Sequence, residues 1–154
     1  MAAVTGGISR PPDALGHYTG FLLHWAGSRA RETFARAMED VDLRPQDFVV
    51  LTMIDAHPGM TQNELVLTTH TDPSSMVALV DHLEAAGLAE RRPHPSDRRK
   101  RTVHLTARGR RRLTKARHAI EGLAAETFGR LTESERRDLH RLLRKLAGLD
   151  EPVS

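Results

Sequence analysis

Apolar positions recur every three or four residues over most of the chain, which is the period of an amphipathic helix. In the first third, this pattern predicts one long helix from about Ala14 to Asp40, with Asp13 as its N-cap. A helix of this length would span about 40 Å. Because a small core cannot cover so long a helix, part of it is expected to pack on a second subunit.

Shorter helices follow, and turn residues separate them. The pattern predicts three of them: residues 44–58, 61–68 and 72–86. Thr61 and Glu64 have the spacing of a capping box, in which each side chain binds the backbone amide of the other residue. Asp72 is a good N-cap, and Pro73 suits the first helical position, where no amide donor is needed. Two short capped helices joined by a polar turn are typical of a helix-turn-helix.

After Gly87, the spacing of apolar positions changes from three or four residues to two, which is the period of a strand. Glycine is suited to the left-handed conformation that ends a helix. Leu88–Arg92 and Thr102–Leu105 are predicted to be the two strands of a hairpin, and the polar, proline-containing segment between them is predicted to be its loop. The tip of this hairpin is Asp97–Arg101.

Two helices are predicted after the hairpin. Thr106 caps a long helix to about Arg130, and Thr132 begins a last helix to about Gly148 through a second capping box. Both carry an apolar stripe. Such stripes suit an intrachain core or a dimer interface, and terminal helices can serve both at once.

Charge is concentrated in and after the hairpin. Residues 88–117 contain twelve Arg or Lys residues and two acidic ones, a local net charge of +10. Because the whole chain carries only +3, the remaining residues carry −7. Such clustering favours a polyanion-binding surface. The alternative is a solvated charged face, but a rigid hairpin presents this charge, which favours binding.

Four pieces of sequence, in this order and spacing, resemble the wing of MarR-type winged helix-turn-helix regulators: Leu83-Glu-Ala-Ala-Gly-Leu, Glu90-Arg-Arg-Pro, Ser96-Asp-Arg-Arg and Leu105-Thr-x-x-Gly109. The resemblance covers about residues 14–149. It implies a mostly α fold with a small β-hairpin, that is, a winged helix-turn-helix with long terminal dimerisation helices. It also implies a sequence-specific DNA-binding transcriptional regulator, in the first place a repressor, that binds a pseudo-palindromic operator as a homodimer.

We therefore expect four segments along the chain. Residues 1–12 form a flexible N-terminal segment and residues 13–43 a dimerisation helix. Residues 44–112 form the winged helix-turn-helix DNA-binding region, and residues 113–154 the C-terminal dimerisation helices.

In a helix-turn-helix, the second helix enters the major groove and its early residues meet base edges. The candidates here are Ser74, Ser75, Val77, Ala78 and either Asp81 or His82. Because no Arg or Lys occurs from residue 72 to residue 84, shape, hydroxyl groups and contacts with thymine methyls must provide the readout. At the start of the preceding helix, three residues are candidate phosphate contacts: Thr61, Gln62 and Asn63.

Most of the affinity must then come from the hairpin tip. Its basic residues can reach phosphates or an adjacent minor groove: Arg98, Arg99, Lys100 and Arg101. The resemblance implies that Asp97 orients Arg99. An equally good interpretation is that Asp97 is simply a turn residue.

The resemblance also implies a cleft between the dimerisation helices and the winged domain that takes small, often aromatic acids as effectors. The residues that can line it are His17, Tyr18, Trp25, Arg29 and Phe48. The alternative is that Trp25 is an ordinary core residue.

Other chemistry has little support. His17 and His24 share a helix face that His118 could approach, but there is no cysteine and no tight histidine pair, so neither a metal nor a cofactor is expected. Glycine-rich phosphate loops and nucleophile-elbow motifs are absent, so no enzyme is expected, and a His-dependent hydrolase has no motif behind it. No apolar run reaches the ~20 residues of a membrane span, and residues 1–13 lack a signal pattern, so a cytoplasmic chain without a membrane partner is expected.

One rival function remains open. The fold could serve a dimeric ligand- or metal-binding protein that does not bind DNA. The absence of basic residues from the predicted recognition helix favours this rival, and the charge of the hairpin opposes it.

Overall fold

The computed structural model describes residues 10–97 and 99–149, and in the fifth helix the side chains of residues 124–126 are left out of the description. Over this part of the chain, six α-helices surround a two-stranded antiparallel sheet. In chain order the elements are α1 (Thr19–Asp40), α2 (Pro45–Ala56), α3 (Gln62–Thr69), α4 (Pro73–Ala85), β1 (Ala89–Pro93), β2 (Arg101–Leu105), α5 (Ala107–Phe128) and α6 (Glu133–Leu146). This confirms the predicted mostly α fold with a small β-hairpin, and the arrangement is a winged helix-turn-helix with long terminal helices.

The first helix begins later than predicted. Asp13–Leu15 form one 3-10 turn, which is closed by a hydrogen bond of 3.0 Å from the Gly16 amide to the Asp13 carbonyl oxygen. The Asp13 carboxylate accepts a bond of 2.7 Å from Arg10 Nη2, so it does not cap α1. Glycine is a poor helix former, and α1 starts only at Thr19, which gives it a length of about 33 Å. Of the predicted flexible segment 1–12, residues 1–9 lie outside the described residues.

The predicted helix starts within the winged helix-turn-helix are confirmed. Glu64 Oε2 accepts the Thr61 amide at 2.7 Å, and Thr61 Oγ1 accepts the Glu64 amide at 3.3 Å. Asp72 Oδ1 accepts the Ser75 amide at 2.9 Å. Side-chain oxygens also cap the last two helices, at the predicted residues Thr106 and Thr132.

Three of the four strand limits of the hairpin lie one residue away from their predicted positions, and the end of β2 at Leu105 is as predicted. β1 includes Pro93, which was predicted to be in the loop and which ends the strand opposite Arg101. Proline is tolerated there because it is the last residue of an edge strand. On the other side of β2, the Val103 amide donates to the Met60 carbonyl oxygen at 2.8 Å, and Thr61 forms a bridge with Thr102. The connection between α2 and α3 is therefore fastened to the hairpin.

One buried cluster runs from the end of α1 through the winged helix-turn-helix into the first half of α5. It includes Met38, Leu51, Val80 and Leu113, which are all essentially inaccessible to solvent. At the edge of this cluster, Arg112 Nη1 donates to the carbonyl oxygens of residues 41 and 42, at 2.7 and 2.9 Å. The start of α5 is therefore held against the turn between α1 and α2.

The last helix takes no part in this core. All side chains of α6 are described, and none is buried. Leu142, Leu143 and Leu146 are exposed on it, and the exposed fraction of Leu146 is 71%.

Candidate nucleic-acid interface

Helix α4 presents a polar and small-residue face to solvent over its first two turns. Met76, Leu79 and Val80 are buried in the core, and this fixes which side of the helix turns outwards. The outward residues are four of the predicted base contacts: Ser74, Ser75, Val77 and Ala78.

The start of α4 carries an ionised carboxylate. Ser74 Oγ donates to Asp72 Oδ1 at 2.6 Å, and the Ser75 amide donates to the same oxygen. These bonds, first the one from the Ser74 hydroxyl, hold the pKa of Asp72 far below its ordinary value of 3.8. The helix N-terminus stabilises this negative charge. A duplex that approaches α4 therefore meets a carboxylate whose charge its own helix has partly satisfied.

His82, the fifth predicted base contact, faces α2. Its Nε2 lies 3.7 Å from Oδ2 of Asp47, a buried carboxylate that also accepts the backbone amide and the guanidinium of Arg44. A contact between His82 and a base remains a prediction.

At the hairpin tip, Asp97 has the geometry of a turn residue, and its proposed orienting role for Arg99 remains a prediction. Its Oδ1 accepts the Arg99 amide at 3.0 Å, as a turn residue does, and lies 3.5 Å from Arg99 Nε. The loop is closed by bonds from the Lys100 amide to the Asp97 carbonyl oxygen and from the His94 amide to the Lys100 carbonyl oxygen. The Arg99 side chain is 93% exposed, so the tip presents its charge to solvent. Arg98 lies outside the described residues.

A cleft of about 530 Å³ lies between the first turn of α3 and the hairpin tip. It is lined by residues of both elements: Thr61, Gln62, Asn63, Glu64, His94, Arg99, Lys100 and Arg101. The structure therefore brings together the predicted contacts of α3 with those of the hairpin. Sequence reasoning did not identify His94, which joins the cleft only because the loop folds back on Lys100.

Arg91 is a second residue that sequence reasoning left without a particular role. It pairs with Val103 across the hairpin and lies on the inward side of β1. Its Nε donates to Gln62 Oε1 at 2.9 Å, so one predicted phosphate contact is already bound to the hairpin. The signal was present in the alternation of the strand, because an arginine at an inward position must find partners inside the protein.

The effector candidates are only partly brought together. A cavity of about 200 Å³ lies between α1, α5 and α6, and its lining includes Trp25, Arg29 and Phe128. The Arg29 guanidinium carbon lies 5.2 Å from the centroid of the Trp25 ring, a cation–π contact. The other three candidates do not line this cavity: Phe48 packs edge-on against Phe34 of α1, and His17 and Tyr18 are exposed.

Neither a cluster of metal ligands nor a membrane-spanning helix occurs among the described residues. Among residues 10–97 and 99–149, no three His, Asp or Glu side chains converge as metal ligands would. His118 Nδ1 instead lies 3.2 Å from Glu121 Oε2 on its own helix. Within the same part of the chain, every helix is too short or too polar to cross a bilayer.

Comparison with known proteins agrees with this geometry. The model of the MarR family matches residues 41–100. The HTH-type transcriptional repressor Rv2887 of Mycobacterium tuberculosis is 32% identical over 127 residues, which are 82% of this chain and 91% of the relative. The crystal structure of Rv2887 in complex with DNA, at 30% identity, superposes with a TM-score of 0.73 over 83% of this chain and 96% of that chain. The crystal structure of Rv2887 in complex with p-aminosalicylic acid, also at 30% identity, superposes with a TM-score of 0.70 over 84% of this chain and 98% of that chain. The chain belongs to the MarR family of winged helix-turn-helix transcriptional regulators.

Proposed function

We propose that this protein is a cytoplasmic transcriptional repressor that binds a pseudo-palindromic operator as a homodimer. The observation that carries the proposal is the cleft between α3 and the wing (β1, β2 and their loop), where Arg99, Lys100 and Arg101 face the first turn of a helix. The three cations, with the polar side chains of Thr61, Gln62 and Asn63 opposite them, suit a backbone phosphate, and the Glu64 carboxylate beside them is bound in the capping box of α3. The relative Rv2887 is a repressor, and its complex with DNA supports the same role here.

The wing and the recognition helix α4 are proposed to divide the work. The wing supplies cations, and these give affinity for DNA of any sequence. Helix α4 supplies Ser75, Val77 and Ala78, whose hydroxyl and methyl groups can discriminate bases through hydrogen bonds and contact with thymine methyls. With two such lobes related by a twofold axis, the DNA site must contain two inverted half-sites.

This division of labour is tested by a salt titration of each variant on two duplexes, one from the region upstream of the gene and one scrambled. Lys100→Ala or Arg101→Ala should weaken binding to both, and each should reduce the slope of log affinity against log salt by about 0.9 per lost phosphate contact. Ser75→Ala should change the preference between the duplexes and leave the slope unaltered, because it removes no charge. Lys145→Ala, a charge loss on α6, is the matched control and should leave both properties intact.

Two outcomes would contradict the proposal. Wing variants with an unaltered slope would refute the electrostatic role of the wing. A wild-type protein that binds neither duplex at low salt would favour the rival function, a winged fold that binds a ligand without DNA.

Release by a small aromatic acid is the second part of the proposal. The cavity beside Trp25 offers an indole face and the cation of Arg29, which suit the ring and the carboxylate of such an acid. The complex of Rv2887 with p-aminosalicylic acid shows that this relative binds a compound of that class.

Trp25 is the only tryptophan in the chain, so its fluorescence reports on this cavity alone. Titration with p-aminosalicylate should change the fluorescence and release DNA in parallel, and DNA should weaken acid binding by the same factor. The neutral analogue 3-aminophenol is the matched control and should bind more weakly, because it lacks the carboxylate. Fluorescence and DNA binding that both stay constant would remove this site from the proposal and leave DNA binding untouched.

A further inference from the structure

The recognition helix is acidic, which is unusual for an element that must approach DNA. From residue 72 to residue 84 it carries three carboxylates and no Arg or Lys. Asp72 is held by the hydroxyl and amide groups at the start of its own helix. Asp81 and Glu84 lie in the second half of α4, too far along the helix to bind the amides of its first turn. Their negative charges therefore need a partner from another element.

Arg91 of the wing forms ion pairs with both of these carboxylates. Its Nη1 lies 2.7 Å from Asp81 Oδ1 and also contacts Glu84 Oε2. The Arg91 backbone amide donates to the other Glu84 oxygen, Oε1, at 2.6 Å. With the bond from Nε to Gln62, this one side chain joins β1 to both α3 and α4. The Arg91 side chain is 21% exposed and that of Glu84 32%, so solvent screens this pair less than a pair on the open surface, whereas Asp81 is 60% exposed and its pair is more strongly screened.

The next residue, Arg92, provides a natural comparison. It has the same charge and lies on the same strand, but it points to the opposite face and pairs with Glu90 of that strand. Its side chain is 56% exposed. The two arginines therefore differ in what they neutralise, since only Arg91 reaches carboxylates of the recognition helix.

We propose that Arg91 is a positioning residue for DNA binding: it neutralises Asp81 and Glu84 and holds the wing against α3 and α4, without itself contacting the duplex. This inference rests on the proposed function. Without Arg91, two carboxylates on the recognition helix would face a polyanion, and like charges brought together at an interface oppose association.

The experiment compares Arg91→Gln with Arg92→Gln on the upstream duplex over a range of salt. Both variants lose one positive charge from β1. Arg91→Gln should bind at least about tenfold more weakly at low salt, and the deficit should shrink as salt screens the repulsion. Arg92→Gln should lose less than about threefold, because it leaves the recognition helix neutralised.

A charge rescue separates this electrostatic role from a general loss of structure. The triple variant Arg91→Gln, Asp81→Asn, Glu84→Gln keeps polar side chains at all three positions and removes the unbalanced charge. It should recover binding to within about threefold of wild type. A folded triple variant that stays as weak as Arg91→Gln would overturn the proposal, and so would Arg91→Gln that binds as well as Arg92→Gln.

A second variant keeps the proposal testable if Arg91→Gln does not fold, which circular dichroism and thermal unfolding would show. Asp81→Asn with Glu84→Gln retains Arg91 and frees its charge, so DNA should bind at least as tightly as to wild type. Weaker binding would overturn the inference. A wild-type protein that binds no duplex overturns the proposed function and this inference with it, whereas failure of the Arg91 comparison alone leaves the repressor proposal intact.

Discussion

Gly109 lies in the first turn of α5, where the helix passes directly over the end of α4 and the start of the wing. A Cβ atom at this position would lie 2.0 Å from the Leu88 carbonyl oxygen and 2.9 Å from its carbonyl carbon. Backbone atoms cannot move aside as a flexible side chain can. The glycine of the Leu105-Thr-x-x-Gly109 sequence is therefore required by the close approach of two backbone segments.

Gly109→Ala should destabilise the protein by at least about 1–3 kcal/mol, because the helix must move away from Leu88. Gly122→Ala on the same helix is the control: nothing lies within 4 Å of the added atom, and the change should stabilise by about 0.5–1 kcal/mol. Urea unfolding followed by circular dichroism measures both. Equal effects of the two substitutions would show that Gly109 is not held against Leu88.

Individual side chains differ in how well the sequence predicts their role. The turn geometry of Asp97 was predictable because its partner, Arg99, is two residues away. The partners of Arg91 were not, because Gln62 is 29 residues distant and becomes a neighbour only when β2 fastens the α2–α3 connection to the hairpin. The sequence predicted a charged hairpin, and only the fold distinguishes an arginine that is available to DNA from one that is bound internally.

The helices and strands were mostly predictable because their ends are set by local hydrogen bonds. Capping residues act on amides two or three residues away, and Gly87 ends α4 with a φ of +67°. The start of α1 was the exception, since a broken apolar pattern with two glycines, Gly16 and Gly20, does not show whether the first turn is α or 3-10. Pairing moved three of the four strand limits by one residue, and the end of β2 at Leu105 was as predicted.

Thr106 joins two elements through one hydroxyl group. Its Oγ1 accepts the Gly109 amide at 2.9 Å, which caps α5, and donates to the Gly87 carbonyl oxygen at 2.7 Å, at the end of α4. Thr106→Ala should lower the free energy of unfolding by about 1–2 kcal/mol, because it removes the cap and leaves a carbonyl oxygen without its donor.

Thr106→Ser is the control, since serine keeps the hydroxyl group and should retain most of the stability. Thermal unfolding of the two variants distinguishes them. A serine variant as unstable as the alanine variant would assign the effect to the lost methyl group instead of the hydrogen bonds.

For the whole molecule, the exposed leucines of α6 support the proposed homodimer. A helix with Leu142 and Leu146 in water gains little from folding alone, whereas a second chain can bury this stripe. Light scattering at micromolar concentration should give twice the 17.2 kDa chain mass. Leu142→Asp should shift the mass towards that of one chain and lower the stability, because it would bury an unpaired charge at the interface.

Ser134→Asp introduces the same charge in the first turn of α6, where helix capping tolerates an acid, and should leave the dimer intact. A wild-type protein of one chain mass with full thermal stability would contradict the dimer. The sequence predicted the apolar stripe, but it could not distinguish an internal core from an interface, because periodicity shows that a face is apolar and not what covers it.

The buried cluster that passes from α1 into the winged helix-turn-helix has a mechanical consequence. Met38 and Leu113 belong to the terminal helices, yet they pack in the same close-packed interior as Val80 of the recognition helix. Arg112 also binds the turn between α1 and α2 to α5. A tightly packed interior transmits a displacement instead of absorbing it. A tilt of α1 would therefore move α4 and the rest of the winged helix-turn-helix with it as one rigid body. In a dimer, the distance between the two α4 helices would then be set by the packing of α1, far from the DNA.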